Sequence, residues 1–126
     1  MTKKLKYLSR TLLSGPYLAL CRDEASFIKE CKRLNIKNIP PWVSELAHAT
    51  THFFYHSDDG QCIIVCISED KKRTKTAIYA LLVHEAVHVV RARLRHMNED
   101  KPGEEIEAYC IQNIAQTLME AYDDRK

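Results

Sequence analysis

Between Gln61 and Ser68 the chain runs Gln-Cys-Ile-Ile-Val-Cys-Ile-Ser, and this octapeptide restricts the fold more than any other stretch. Side chains of a strand alternate between faces, so Ile63, Val65 and Ile67 share one side while Cys62, Ile64 and Cys66 share the other. Both sets are apolar, which predicts a central strand covered on both faces. A second strand-like run, Thr50 to His56, precedes it across Ser57-Asp58-Asp59-Gly60, and Asp-Gly between β-prone runs predicts a hairpin.

The flanking segments complete an α+β order. Tyr17 to Cys21 reads as a short strand. Asp23 is placed to cap a helix from Glu24 to about Leu34, with Phe27, Ile28, Cys31 and Leu34 inward. Asn35 to Pro41 reads as a loop, and two helices follow, from about Thr76 to Met97 and from about Gly103 to Tyr122. The expected architecture is a small antiparallel sheet with a hairpin, packed on helices. A chain of 126 residues, 45% of them hydrophobic, has material for one core and little for a second. Residues 1–126 therefore read as a single domain, with residues 1–10 as a basic leader expected to be flexible.

The first of the two long helices carries His84-Glu85-Ala86-Val87-His88. Each helical residue turns by about 100°, so His84 and His88 lie one turn apart on one face, where two imidazoles can hold one metal ion. Glu85 sits beside them. In the H-E-x-x-H arrangement the two histidines ligate zinc and the glutamate is the general base for hydrolysis by metal-held water. With six His and ten Glu in the chain, shuffling yields this pentapeptide in about two chains in a hundred. The bland reading is a pair of surface histidines beside a solvated acid.

The second helix adds weight to the metal. Ile111, Ile114, Ala115 and Leu118 form one apolar stripe, and projecting it backward brings Glu107 and Glu104 onto it while turning Glu105 aside. A carboxylate at the end of a buried stripe is costly unless it is paired or binds a metal. First-turn acids are also favoured by the positive end of the helix dipole, which accounts for one or two of the three but not for one pointing inward. Two histidines and one glutamate leave a fourth position open for water, as a catalytic zinc site requires.

From His84 to about Leu118 the chain resembles the gluzincin metallopeptidases. H-E-x-x-H is matched in full, and Glu107-Ala108 matches the E-A pair of the family's following helix. The likeness is nearest to the minimal zincin-like forms of phage and prophage genomes and to the ImmA/IrrE-like peptidases. It implies Zn2+ bound by His84, His88 and Glu107, with Glu85 as catalytic base, and it implies a protein or peptide substrate. The chain departs from the ImmA/IrrE pattern at Tyr109, where asparagine is usual, and it carries no attached DNA-binding domain.

An oxyanion stabiliser is also expected, and Tyr109, Tyr79, His96, His52 and His48 are all eligible. Arg95 and Arg91 follow His88 near its azimuth, where they would either meet an acidic substrate or stay solvated at the helix end. The net charge of +2 does not indicate a general grip on nucleic acid. The basic groups Lys3, Lys4, Lys6 and Arg10, and Lys71, Lys72, Arg73 and Lys75, read as solvated faces. Five cysteines without a C-x-x-C pair read as buried thiols in a reducing compartment. The uncharged run after the leader is broken by Gly15-Pro16 and lacks a small-residue cleavage site, and no stretch is long enough to span a bilayer. The expected location is cytoplasmic, in the host if the gene belongs to a phage. Two other functions compete: a zinc amidase acting on a non-protein amide such as cell-wall peptide, and a non-catalytic interaction protein stabilised by zinc. An intact Glu85 argues against the second, because a structural site needs no base.

Overall fold

The structure is a computed structural model, and it describes residues 5, 7–8, 17–44, 47–56 and 60–124. Strand β1 spans Tyr17–Cys21, helix α1 Glu24–Arg33, strand β2 Ala49–His56, strand β3 Gly60–Ile67, helix α2 Lys75–His96 and helix α3 Glu104–Asp123. Helices α1 and α2 each begin at a side chain that accepts one of the free N–H groups of the first turn. The Asp23 carboxylate accepts from the Ser26 N–H at 2.7 Å, and the Thr74 hydroxyl oxygen accepts from the Ala77 N–H at 3.1 Å. Gly103 precedes α3 without a side-chain cap, and Glu104, Glu105 and Glu107 set three acids against the positive end of that helix.

The strands form one sheet in the order β1-β3-β2. β3 is central, as its two apolar faces require, and its residues Cys62 through Ile67 are all buried. β2 pairs antiparallel to it from Ala49↔Ile67 to His56↔Gly60, and Gly60 takes a φ of 82° at the hairpin's end. The turn residues Ser57, Asp58 and Asp59 lie outside the described residues. The sheet is nevertheless not wholly antiparallel. β1 runs parallel to β3, from Tyr17↔Cys62 to Cys21↔Cys66, so the sheet is mixed. A parallel neighbour needs a long crossover, and α1 with β2 supplies it.

The central strand separates two cores. Leu18, Ile63, Val65 and Ile67 face Leu82, Ala86, Val89 and Val90 of α2 and Ile114, Ala115 and Leu118 of α3. On the opposite face Cys21, Ile64 and Cys66 meet Phe27 and Cys31 of α1. The domain is thus three layers, α1 over the sheet over α2 and α3. No helix among the described residues is long and apolar enough to cross a membrane.

Three charged residues, Glu30, Glu85 and Arg93, are buried among the described residues. Glu30 is buried in α1, where Tyr7 donates to Oε2 and Arg33 grips both oxygens at 2.7–3.0 Å. Tyr7 also bridges Ala19, and the Leu8 N–H donates to the Leu18 carbonyl at 2.8 Å, so this part of the basic leader is pinned to β1. Lys3, Lys4, Lys6 and Arg10 lie outside the described residues. No cysteine is in a disulfide; Cys21, Cys31, Cys62 and Cys66 are buried, and Cys110 is half-buried. The hydrogen bond between Cys66 and Cys21, together with burial, pushes the Cys66 thiol up. Burial pushes Cys31 up to about 11, with the charge of Glu30 adding to it.

Candidate metal centre

Helix α2 packs on the sheet through Ile78, Leu82, Glu85, Ala86, Val89, Val90, Arg93 and Leu94, which recur at the three- and four-residue spacing of one face. His84 and His88 stand to the side of that stripe and are exposed. Their Nε2 atoms are 3.3 Å apart, and the rings meet at 66°. Zinc–nitrogen bonds of 2.0–2.1 Å at a tetrahedral angle would separate two ligand nitrogens by about 3.3–3.4 Å. The pair therefore matches the bite of one tetrahedral ion.

Glu85 falls within the buried stripe instead, and only 4% of it is exposed. A carboxylate there needs a donor. Thr51 of β2 provides one, its hydroxyl donating to Oε1 at 2.7 Å, while Oε2 lies 4.0 Å from His84 Nε2. One carboxylate oxygen is thus anchored to the sheet and the other faces the imidazoles. Ligand atoms of His84, Glu85 and His88 all lie within 4.8 Å of one another.

The third expected ligand stands apart from this group. Glu107, in the first turn of α3, places Oε2 2.9 Å from Arg91 Nε. Arg91 comes seven residues after His84 and three after His88, so α3 does carry Glu107 to the histidine-bearing side of α2. It meets that side one turn beyond the imidazoles. Burial along α3 fades from Leu118 and Ile114 through half-buried Ile111 and Glu107 to exposed Glu104, as the helix end runs out from under its neighbours. Of the two candidate carboxylates, Glu107 is the one turned toward α2.

The five eligible oxyanion stabilisers are dispersed. His52 lies on the α1 side of the sheet, stacked against Phe27 and Phe54, with Nε2 2.8 Å from the Trp42 carbonyl. Tyr79 donates to Asp123 at 2.5 Å. Tyr109 and His96 are exposed on α3 and α2. Of the five, His48 lines a cavity together with His84. That cavity, of about 480 Å³, is lined by His48, Lys72, Arg73, Ala77, Leu81 and His84 among others.

Thr51 and the cavity were beyond sequence reasoning. A threonine in a strand carries no signal of its partner, and the cavity joins His48 to a loop and helix that follow it only from Asp70 onward. Glu30 was detectable, since it falls on the Phe27, Cys31 and Leu34 stripe at helical spacing.

Comparison with protein families, with curated proteins and with solved structures returns no match for this chain. The likeness to gluzincins accordingly rests on the residues themselves.

Proposed function

We propose that this chain is a small zinc metallopeptidase of the gluzincin kind, with His84 and His88 holding the metal, Glu107 as the third ligand and Glu85 as the base. The observation that carries the reading is the pairing of two Nε2 atoms at the bite of one tetrahedral ion with a buried carboxylate whose free oxygen faces them. Zinc bound there would supply a Lewis acid for a substrate carbonyl and would acidify water. Glu85 would take the proton of the attacking water and deliver it to the amine as the C–N bond breaks. Thr51 holds the carboxylate in line by occupying Oε1. To serve as the third ligand Glu107 would exchange its contact with Arg91 for the metal, or would use Oε1, which has no partner among the described residues.

The sheet favours a peptide over another amide. β2 supplies Thr51 and is an edge strand among the described residues, where an extended chain would pair with its outer N–H and C=O groups. An extended substrate added there lies next to Glu85.

Elemental analysis of the purified protein should find about one zinc per chain. Glu85→Gln should keep that zinc and lose turnover on a peptide library, because an amide cannot act as a base. Wild-type turnover by the variant would remove Glu85 from the mechanism. A variant that loses the zinc would make Glu85 a ligand and leave the centre without a base.

A further inference from the structure

The cavity next to His84 has a chemical bias of its own. Its floor is the α2 face formed by Ala77, Ala80 and Leu81, and its rim is His48 with the loop residues Asp70, Lys72 and Arg73. The Arg73 guanidinium is fixed at this rim. Its Nη1 donates to the Ser68 carbonyl at 2.6 Å, and its Nη2 lies 3.3 Å from Ser68 Oγ and 3.1 Å from His48 Nδ1. All three partners are neutral acceptors, so the positive charge is held in place without being cancelled. Guanidinium has no acceptor, so His48 Nδ1 must accept, and a neutral His48 ring then carries its proton on Nε2 as a further donor. Lys72 adds an exposed ammonium. Asp70, the one acid among the lining residues, accepts from the Lys72 backbone N–H at 3.0 Å and keeps its charge, so the rim sets the Arg73 and Lys72 cations against one anion.

We propose that this cavity recognises a carboxylate on a short aliphatic stem, so that the substrate is a peptide with an acidic residue seated beside His84. The apolar floor covers the methylenes, while the pre-positioned guanidinium, ammonium and imidazole N–H meet the charge. Ordering the guanidinium in advance removes part of the entropic cost of binding. Arg91, by contrast, pairs with Glu107 and is not among the residues that line this cavity. The substrate class rests on the peptidase reading above, but the pocket itself needs no metal.

The test separates the two. Backbone amide NMR titrations on zinc-free protein would compare acetyl-Ala-Glu-Ala-amide, acetyl-Ala-Gln-Ala-amide and acetyl-Ala-Ala-Ala with a free C-terminus. The glutamate peptide should bind at least about tenfold more tightly than the glutamine peptide, with shifts centred on His48, Ala77, Ala80 and Leu81. Added salt should weaken it. Lys72→Glu, at an exposed side chain with no hydrogen bond or ion pair among the described residues, and Arg73→Gln should each abolish the preference. Tighter binding of the free C-terminus than of glutamate would overturn the side-chain assignment. Equal binding of glutamate and glutamine, shifts elsewhere, or no binding at all would overturn the pocket. Selective binding by a protein that never cleaves a peptide would sustain the pocket while refuting the peptidase.

Discussion

Replacing Thr51 with valine exchanges a hydroxyl for a methyl of similar shape, and so isolates the bond on which the position of Glu85 depends. The hydroxyl donates to Oε1 at 2.7 Å, and the carboxylate is only 4% exposed, so water has little access to replace the donor. A hydrogen bond to a charged acceptor contributes about 1.5–3 kcal/mol. Unfolding entropy of about 2.1 cal/mol/K per residue makes 1 kcal/mol equivalent to about 4 °C in Tm for 126 residues. Thr51→Val should therefore melt about 6–11 °C below wild type when zinc-free protein is followed by calorimetry. In a Glu85→Gln background the same bond is neutral and contributes about 0.5–1.5 kcal/mol. There the valine should lower Tm by only about 2–6 °C. An unchanged Tm in wild type, or equal losses in both backgrounds, would refute the claim that the sheet anchors this carboxylate.

Three other outcomes are expected. In competition with a chelator, Glu107→Ala should weaken zinc binding more than Glu104→Ala, and Arg91→Ala should strengthen it by freeing the carboxylate from its ion pair; the opposite order would reassign the third ligand. Leu82→Ala, at a fully buried position between α2 and the sheet, should cost about 2–5 kcal/mol in denaturant titration. The Cys31 thiol ionises near 9.0 when unfolded and is pushed up to about 11 in the fold. Because the folded value is the higher, its contribution is complete below pH about 9 and is lost as pH rises through about 11. Urea midpoints should therefore fall over that window, and Cys31→Ala should make the fall shallower; identical profiles would refute the assignment.

Much of this was legible in one dimension because it depends on local periodicity. The alternation of Cys62 to Ile67 specifies a strand buried on both faces, whatever covers it. Asp23 caps α1 because its carboxylate reaches an N–H three residues on, and His84 and His88 share a face because a helix repeats every 3.6 residues. The parallel pairing of β1 was not legible. Strand direction is decided by how the crossover returns, and Tyr17 to Cys21 reads the same in either orientation. The reach of Glu107 was legible only in part: its stripe shows which way it leans, while the offset between α2 and α3 determines that it meets Arg91.

The order of residues thus determined the elements, the buried faces and the imidazole pair, since each arises from contacts within a few positions of the chain. Tertiary packing decided what surrounds that pair. Thr51 lies 34 positions before Glu85, and Arg73 25 positions after His48, yet each couple is within hydrogen-bonding distance. Such meetings depend on how the edge strand, the loop before α2 and the helix itself are set against one another, and no local propensity encodes that.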